Sequence, residues 1–231
     1  KTLFEGIKQL LPSHAMVVEE GHLKIFRYWD VNYKIDYVHN EKYFYNRLHE
    51  LLEDSVTLHT RSDVPIGNYV SGGIDSSLIY QLACSNTSTS NLGFHGRFTD
   101  YPGYDESSYA SCATQHAGGK LDCVEINSED FSNHIEKIIY DLDFPVAGPG
   151  SFSQYMVSKL AAQHVKVVMG GQGGDEIFGG YARYIIAYFE QCIKAAIDGN
   201  FYKGKYVVTL ESIIPNLGLL QEYKPLIKHY K

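Results

Sequence analysis

Val70-Ser71-Gly72-Gly73-Ile74-Asp75-Ser76-Ser77 decides the fold of this chain. An apolar run, Val64 to Val70, precedes it and a helix-like run, Ser77 to Cys84, follows it. Strand, glycine turn and helix together make a cradle for an anion. Gly72 and Gly73 let the backbone approach a phosphate closely and adopt positive φ. The first N–H groups of the following helix are unpaired and sit at the positive end of its dipole. Asp75 would repel a phosphate unless a Mg²⁺ ion lay between the two. The loop is not a Walker A motif, because the lysine of G-x-x-x-x-G-K-[ST] is absent. Read more plainly, it is a tight turn with a serine cap.

A second unit repeats the pattern. Val165 to Met169 reads as a buried strand and runs into Gly170-Gly171-Gln172-Gly173-Gly174-Asp175-Glu176-Ile177-Phe178-Gly179-Gly180-Tyr181. Two such turns at the carboxyl ends of parallel strands face one crevice, where open α/β sheets bind ligands. Asp75 and Asp175 are then placed to share a metal ion on a polyphosphate.

These stretches resemble the C-terminal synthetase domain of glutamine-dependent, class B type asparagine synthetases, in the PP-loop ATP pyrophosphatase group. The resemblance rests on Ser71 to Ser77, on Asp175-Glu176-x-Phe178-Gly179-Gly180-Tyr181, and on Tyr104-Asp105-Glu106-Ser107 with Tyr109-Ala110. Thr2 to Lys8 and Arg27-Tyr28-Trp29-Asp30 look like that family's passage from glutaminase to synthetase domain. The likeness extends to about Tyr184 and weakens beyond it.

The resemblance implies a fold and a chemistry. The expected fold is α/β, a parallel sheet with helices on both faces, of the adenine nucleotide alpha-hydrolase-like (HUP or PP-loop) type, preceded by an N-terminal hairpin. Residues 1–39 are expected to be a remnant and linker from a missing glutaminase domain. Residues 40–231 are expected to be a synthetase domain truncated at its C-terminus. The implied reaction has two steps, with ATP and Mg²⁺ required. A carboxylate, aspartate in the family, attacks the α-phosphate of ATP and releases pyrophosphate. Ammonia then displaces AMP from the acyl-adenylate to give the amide. Ser71, Gly72, Gly73 and Ser76 would donate to the leaving pyrophosphate, and Asp75 and Asp175 would offer oxygens to the metal. Groups at Tyr69, at Gly170-Gly171 and in the window Phe94 to Gly96 would hold the nucleoside. Gln172, Asp175, Glu176 and Tyr181 are the candidate catalytic residues.

Two departures from the family pattern bear on the acceptor. Gln172 stands where the family commonly has Glu. An amide accepts a hydrogen bond but cannot serve as a general base; it is equally a variant that tolerates the amide. Asp143 to Gly150 carries no Arg, whereas many asparagine synthetases have a Thr/Arg-bearing loop there for the aspartate carboxylate; its prolines and glycines also suit a merely bent loop. A relative that adenylates a sugar acid, a peptide or a β-lactam-type precursor is therefore a competing reading. A nucleotide-binding fragment without turnover is another, and the chain by itself is expected to be inactive in the full reaction. Asp105 and Glu106 read as helix caps. Glu176 fits either a metal contact or a cap.

Composition narrows the remaining classes. A chain of 231 residues can bury a full core. Its net charge of −7 and lack of a basic block disfavour nucleic acid as a partner. Its four cysteines (Cys84, Cys112, Cys123, Cys192) show no C-x-x-C spacing and suit reduced thiols in a cytoplasmic protein. The ten histidines are scattered without H-x-x-x-H, which argues against zinc. No apolar run reaches the ~20 residues of a membrane span. The expected partners are a small carboxylate, ammonia, the missing glutaminase domain and, through an uncovered hairpin, a second copy of the chain.

Along the chain, Ala15 to Val18 and Leu23 to Phe26 predict the hairpin. Phe44, Leu48, Leu51, Leu52 and Val56 predict a helix over Glu41 to His59. Strands are expected at Pro65 to Val70, Leu92 to Phe98, Leu121 to Ile126 and Val165 to Met169. Helices are expected at Asp75 to Ser85, Asp105 to His116, Ser128 to about Asp141, Phe152 to His164 and, unbroken, Asp175 to Asp198. Short helices are expected within Ser212 to Lys231.

Overall fold

The computed structural model describes residues 2–32, 34, 36, 38–85, 91–100, 103–144 and 150–197. The short helices expected within Ser212 to Lys231 lie outside them.

An antiparallel hairpin comes first, β1 (His14–Glu19) paired with β2 (His22–Arg27), with Ala15 opposite Phe26 and Val18 opposite Leu23. Its turn places Glu20 and Gly21 at positive φ. The other strands form one parallel sheet: β3 (Ile66–Tyr69), β4 (Leu92–Arg97), β5 (Lys120–Glu125) and β6 (Val167–Met169), in the order β5-β4-β3-β6. The chain steps outward from β3 through β4 to β5, then returns to the opposite side of β3 as β6. The strand order reverses between β3 and β6. Loops leaving neighbouring strands in opposite directions open a crevice at such a point, outside the carboxyl ends.

Helices cover both faces, as expected. On one lie α1 (Glu41–His59), α2 (Ile74–Ser85) and α3 (Ser107–His116). Val56, Leu82 and Ala83 pack there with Met169, and Val70, Tyr80 and Ala110 with Leu121. On the other lie α4 (Ser128–Leu142) and α5 (Gly150–Ala161), where Ile126, Ile138, Phe152 and Met156 form one cluster and Phe94, Ala161 and Val165 another. Strand alternation explains the division: Val70 points to the first face and its neighbour Tyr69 to the second.

Local chemistry sets the helix ends. The Asn40 side chain accepts from Tyr43 N at 3.0 Å and starts α1. Asn127 and Asp130 form a reciprocal capping box at the start of α4, with bonds of 2.9 and 3.1 Å. Asp105 accepts from Ser107 N at 3.2 Å, and α3 begins at Ser107, two residues later than the expected start at Asp105.

Two expectations are corrected. The single helix over Asp175 to Asp198 is broken into α6 (Gly174–Phe178) and α7 (Ala182–Ile197). Gly179 adopts φ 70°, a left-handed cap, and Gly180 N returns to Asp175 O at 2.9 Å, which closes α6 after one turn. The strand expected at Val165 to Met169 is only three residues long and not fully buried, with Val167 39 % exposed. Among the described residues β6 pairs only with β3.

Candidate active site

The loop that follows β3 is built around two serines. Ser71 Oγ and Ser76 Oγ lie 2.9 Å apart. Gly73 N donates to Ser71 Oγ at 3.2 Å, Ser71 N donates to Ser76 Oγ at 3.2 Å, and Ser76 Oγ donates to Gly73 O at 3.2 Å. This closed set of bonds holds the turn tight before α2 begins, and Gly72 sits within it at φ 95°. Ser76 is buried, whereas Ser71 and Gly73 are exposed at the rim.

The loop after β6 docks directly on the first. A Cβ on Gly171 would meet Ser76 N at 2.6 Å and the carbonyl carbon of Asp75 at 2.7 Å. Both are backbone atoms, so neither can swing aside, and only glycine allows this approach. Gly174 lies against the Asp75 carboxylate in the same way, and Gly180 against that of Asp175. Glycines in the second loop thus bring both acids of the two sequence units to one place.

That place is a cavity of about 800 Å³ at the junction of the loops. Ser71, Gly73, Asp75 and Ser76 line it from the first loop; Gly171, Gln172, Asp175, Glu176 and Tyr181 line it from the second. No Lys or Arg among the described residues lines it, so three carboxylates face it without a protein cation. α1 adds Leu48 and Leu52, and α2 adds Leu78, apolar wall residues that motif reading did not single out.

A smaller cavity of about 280 Å³ adjoins it across the ends of β3 and β4. Tyr69, Ser71 and Gln172 line both cavities. Phe94 and Gly96 line the second one only, although most of Phe94 is core, being 1 % exposed. His95, Ser153 and Gln154 also line it and were not among the expected site residues. Ser153 and Gln154 project from the first turn of α5, and no sequence motif marks them. Tyr69 OH lies 2.7 Å from Ser158 Oγ, which in turn donates to Gln154 O at 2.6 Å, fixing the tyrosine on α5. Gly72 and Gly170 line neither cavity; they shape the loops, with Gln172 folded over Gly170.

Tyr181 donates to Glu176 Oε1 at 3.2 Å, and the Arg183 guanidinium covers its ring at 3.9 Å. The bond to Glu176 raises the phenol's pKa above its ordinary value. Tyr181 is therefore a hydrogen-bond donor at neutral pH rather than a phenolate base. Asp105 is held below the usual carboxylate range, first by the Ser107 hydroxyl, and stands at the start of α3 as a cap. Glu106 occupies the N-cap position without a side-chain capping bond and lines the smaller cavity.

No described helix is long and apolar enough to cross a membrane. The Asn_synthase family model, described as asparagine synthase, matches residues 47–224. Asparagine synthetase [glutamine-hydrolyzing] 1 of Bacillus subtilis is 32% identical over 187 residues, covering 79% of this chain and 29% of that protein. A putative asparagine synthetase of Methanocaldococcus jannaschii is 30% identical over 74% of this chain and 33% of that protein, and amidase chyE of Penicillium rubens is 27% identical over 78% of this chain and 30% of that protein. Among solved structures, an NH3-dependent NAD synthetase from Campylobacter jejuni matches with a TM-score of 0.41 at 15% identity, over 80% of this chain and 87% of that one. The chain spans at most about a third of the length of these curated relatives. With the family model matching most of its residues, the chain belongs to the asparagine synthase family.

Proposed function

We propose that this domain binds ATP across the two cavities and forms an amide by adenylating a small carboxylate, aspartate in the first instance, for attack by ammonia. The observation that carries this reading is the meeting of both glycine–acid loops around one cavity at the strand reversal, with a second cavity joined to it through Tyr69, Ser71 and Gln172. An elongated ligand with an anionic and an aromatic end fits that pair. The polyphosphate lies in the larger cavity beside the serine loop, and the nucleoside in the smaller one between the ends of β3 and β4.

The donor set suits Mg²⁺. Asp75 and Asp175 supply hard oxygen ligands, and Mg²⁺ is usually held by one or two carboxylates plus substrate phosphates. Among the described residues no three His, Cys, Asp or Glu side chains are grouped to hold a metal by themselves. When bound, the ion would neutralise phosphate charge that three carboxylates would otherwise repel.

The chain's own residues orient and stabilise. Ser71, Gly73 and Ser76 surround the place of the leaving pyrophosphate; their N–H and O–H groups donate within the loop here and would exchange those bonds for phosphate oxygens as the pyrophosphate leaves with the electrons of its bond to the α-phosphorus. Glycine-permitted contact between the loops fixes the acids relative to the serines, so little is left to reorganise during reaction. Gln172, which lines both cavities, would hydrogen-bond the acyl-adenylate or the incoming amine. It cannot remove the amine's proton. Tyr181 keeps Glu176 oriented through their hydrogen bond.

Gln172 also favours a second reading, in which the acceptor is a carboxylate other than aspartate. The test for both is ATP–pyrophosphate exchange by the full-length protein over a panel of carboxylates. Aspartate-dependent exchange supports the first reading, and exchange with a sugar acid or peptide carboxylate the second. ATP binding with no exchange on any carboxylate would leave only a nucleotide-binding module.

A further inference from the structure

We propose that Tyr69 is a positioning residue whose hydroxyl holds the larger and smaller cavities at a fixed separation, so that one nucleotide can occupy both at once. This rests on the reading of the two cavities as the seats of polyphosphate and nucleoside.

Tyr69 is the last residue of β3, two before the serine loop opens at Ser71, and it lines both cavities. On the face covered by α5 it packs against the cluster of Phe94, Ala161 and Val165. Its hydroxyl lies 2.7 Å from Ser158 Oγ on α5. Ser158 Oγ has one proton and donates it to Gln154 O at 2.6 Å. It therefore accepts from Tyr69, and the tyrosine donates. The ring has a further neighbour: a Cβ on Gly170 would stand 3.5 Å from Tyr69 Cδ2, at ordinary contact distance. One side chain thus touches α5 and the loop after β6 that carries Gln172, while its backbone leads into the serine loop.

α5 gives the smaller cavity Gly150, Ser153, Gln154 and Val157. Their spacing of three, four and seven residues is one face of a helix. That face is a cavity wall, and Ser158 stands beside it. Apolar packing holds α5 on the sheet but is non-directional. A hydrogen bond of set length and angle is what fixes where the helix stands along the sheet. Phenylalanine at position 69 would fill the same apolar space and leave α5 without that stop. A ligand seated in both cavities is sensitive to their separation, because a small misplacement of one end is felt at the other. A ligand confined to one cavity is not. Tyr69 acts through α5 and the second loop, and the role does not require its ring to touch the nucleotide.

The experiment compares three ligands in the presence of Mg²⁺ with the full-length protein: ATP, which spans both cavities, AMP, which takes the nucleoside side, and pyrophosphate, which takes the other. ATP binding is read by titration calorimetry, and AMP and pyrophosphate binding by their displacement of ATP. Tyr69→Phe should weaken ATP by about 3- to 10-fold, the range of one hydrogen bond, and leave AMP and pyrophosphate within about twofold of wild type. Ser158→Ala should do the same, and the double variant should lose no more than either single one, because all three lack the same bond. Should Tyr69→Phe not fold, Ser158→Ala carries the test alone. Equal loss of all three ligands would mark general damage and overturn the positioning role, as would unchanged ATP affinity in both single variants. Failure of the wild type to bind any of the three overturns the nucleotide reading itself.

Discussion

At the scale of single residues, the site joins three carboxylates to a serine loop whose donors bond one another. Asp75 is the most sensitive of these, because Gly174 and Gly171 both pack on it or its backbone. Asp75→Ala is expected to weaken ATP binding in the presence of Mg²⁺ by about 10- to 100-fold, the range for losing a bond to a charged group. Titration calorimetry with and without EDTA checks this: the wild type should lose affinity on chelation and the variant should change little. Equal affinity in all four measurements would remove Asp75 from the metal site. Cysteine reactivity tests the packing independently. Burial pushes the Cys84 and Cys123 thiols upward, whereas Cys112 is exposed. Maleimide at pH 7 should therefore label Cys112 at least about tenfold faster than the other two, since the thiolate is the reactive form. Peptide mapping over a time course reads the order.

At the scale of elements, the turn after β6 and the start of α3 make separate predictions. Gly171→Ala pushes a methyl group into the backbone of Asp75 and Ser76. The loops must part, at a cost of roughly 1–3 kcal/mol. Nucleotide affinity should fall with stability, in contrast to Asp75→Ala, which should leave the melting temperature nearly unchanged. The Asp105 cap gives a pH signature. Ser107 holds its carboxyl below the usual range in the folded chain. A depressed folded pKa stabilises above the unfolded value of about 3.9 and is lost as pH falls through the folded pKa. Asp105→Asn should thus melt lower than wild type at pH 7, and the gap should close below about pH 4. A gap that persists at low pH would show that the side chain's shape, not its charge, matters. Much of this level is legible in the residues. Phe44, Leu48, Leu52 and Val56 predict α1 with the bounds Glu41 to His59 that the structure shows. The break at Gly179 was missed because the apolar period continues across it, and a left-handed cap leaves that period intact.

At the scale of the whole molecule, the hairpin stands apart from the sheet. No residue of β1 or β2 is fully buried, and Met16, Val18, Leu23 and Ile25 are all at least 50% exposed. Apolar side chains in that state, on a two-stranded ribbon with both outer edges open, favour association. Light scattering on this chain should show self-association at micromolar concentration, and removal of residues 1–39 should reduce it. The same removal should shift the melting temperature by no more than a few degrees, because the sheet's core clusters include no residue before Leu52. A collapse of the fold on removal would show that the hairpin is part of the domain.

The sequence by itself determined the two strand–glycine–acid–helix units, the alternation that makes the sheet parallel, and the family. These are written in short-range chemistry: glycine where backbone must approach, serine and acid where a helix begins, apolar residues at fixed spacing. The tertiary structure decided what those units face. The return of the chain to β6 beside β3 brings Asp75 and Asp175 to one cavity from positions a hundred residues apart in sequence. It also enclosed His95, a scattered histidine in the sequence, between the ends of β3 and β4, where its Nδ1 lies 2.8 Å from Val70 O. No local signal encodes either result, because the partner of each group lies on another strand, and strand order is fixed by which faces the helices can bury rather than by the residues of any one loop.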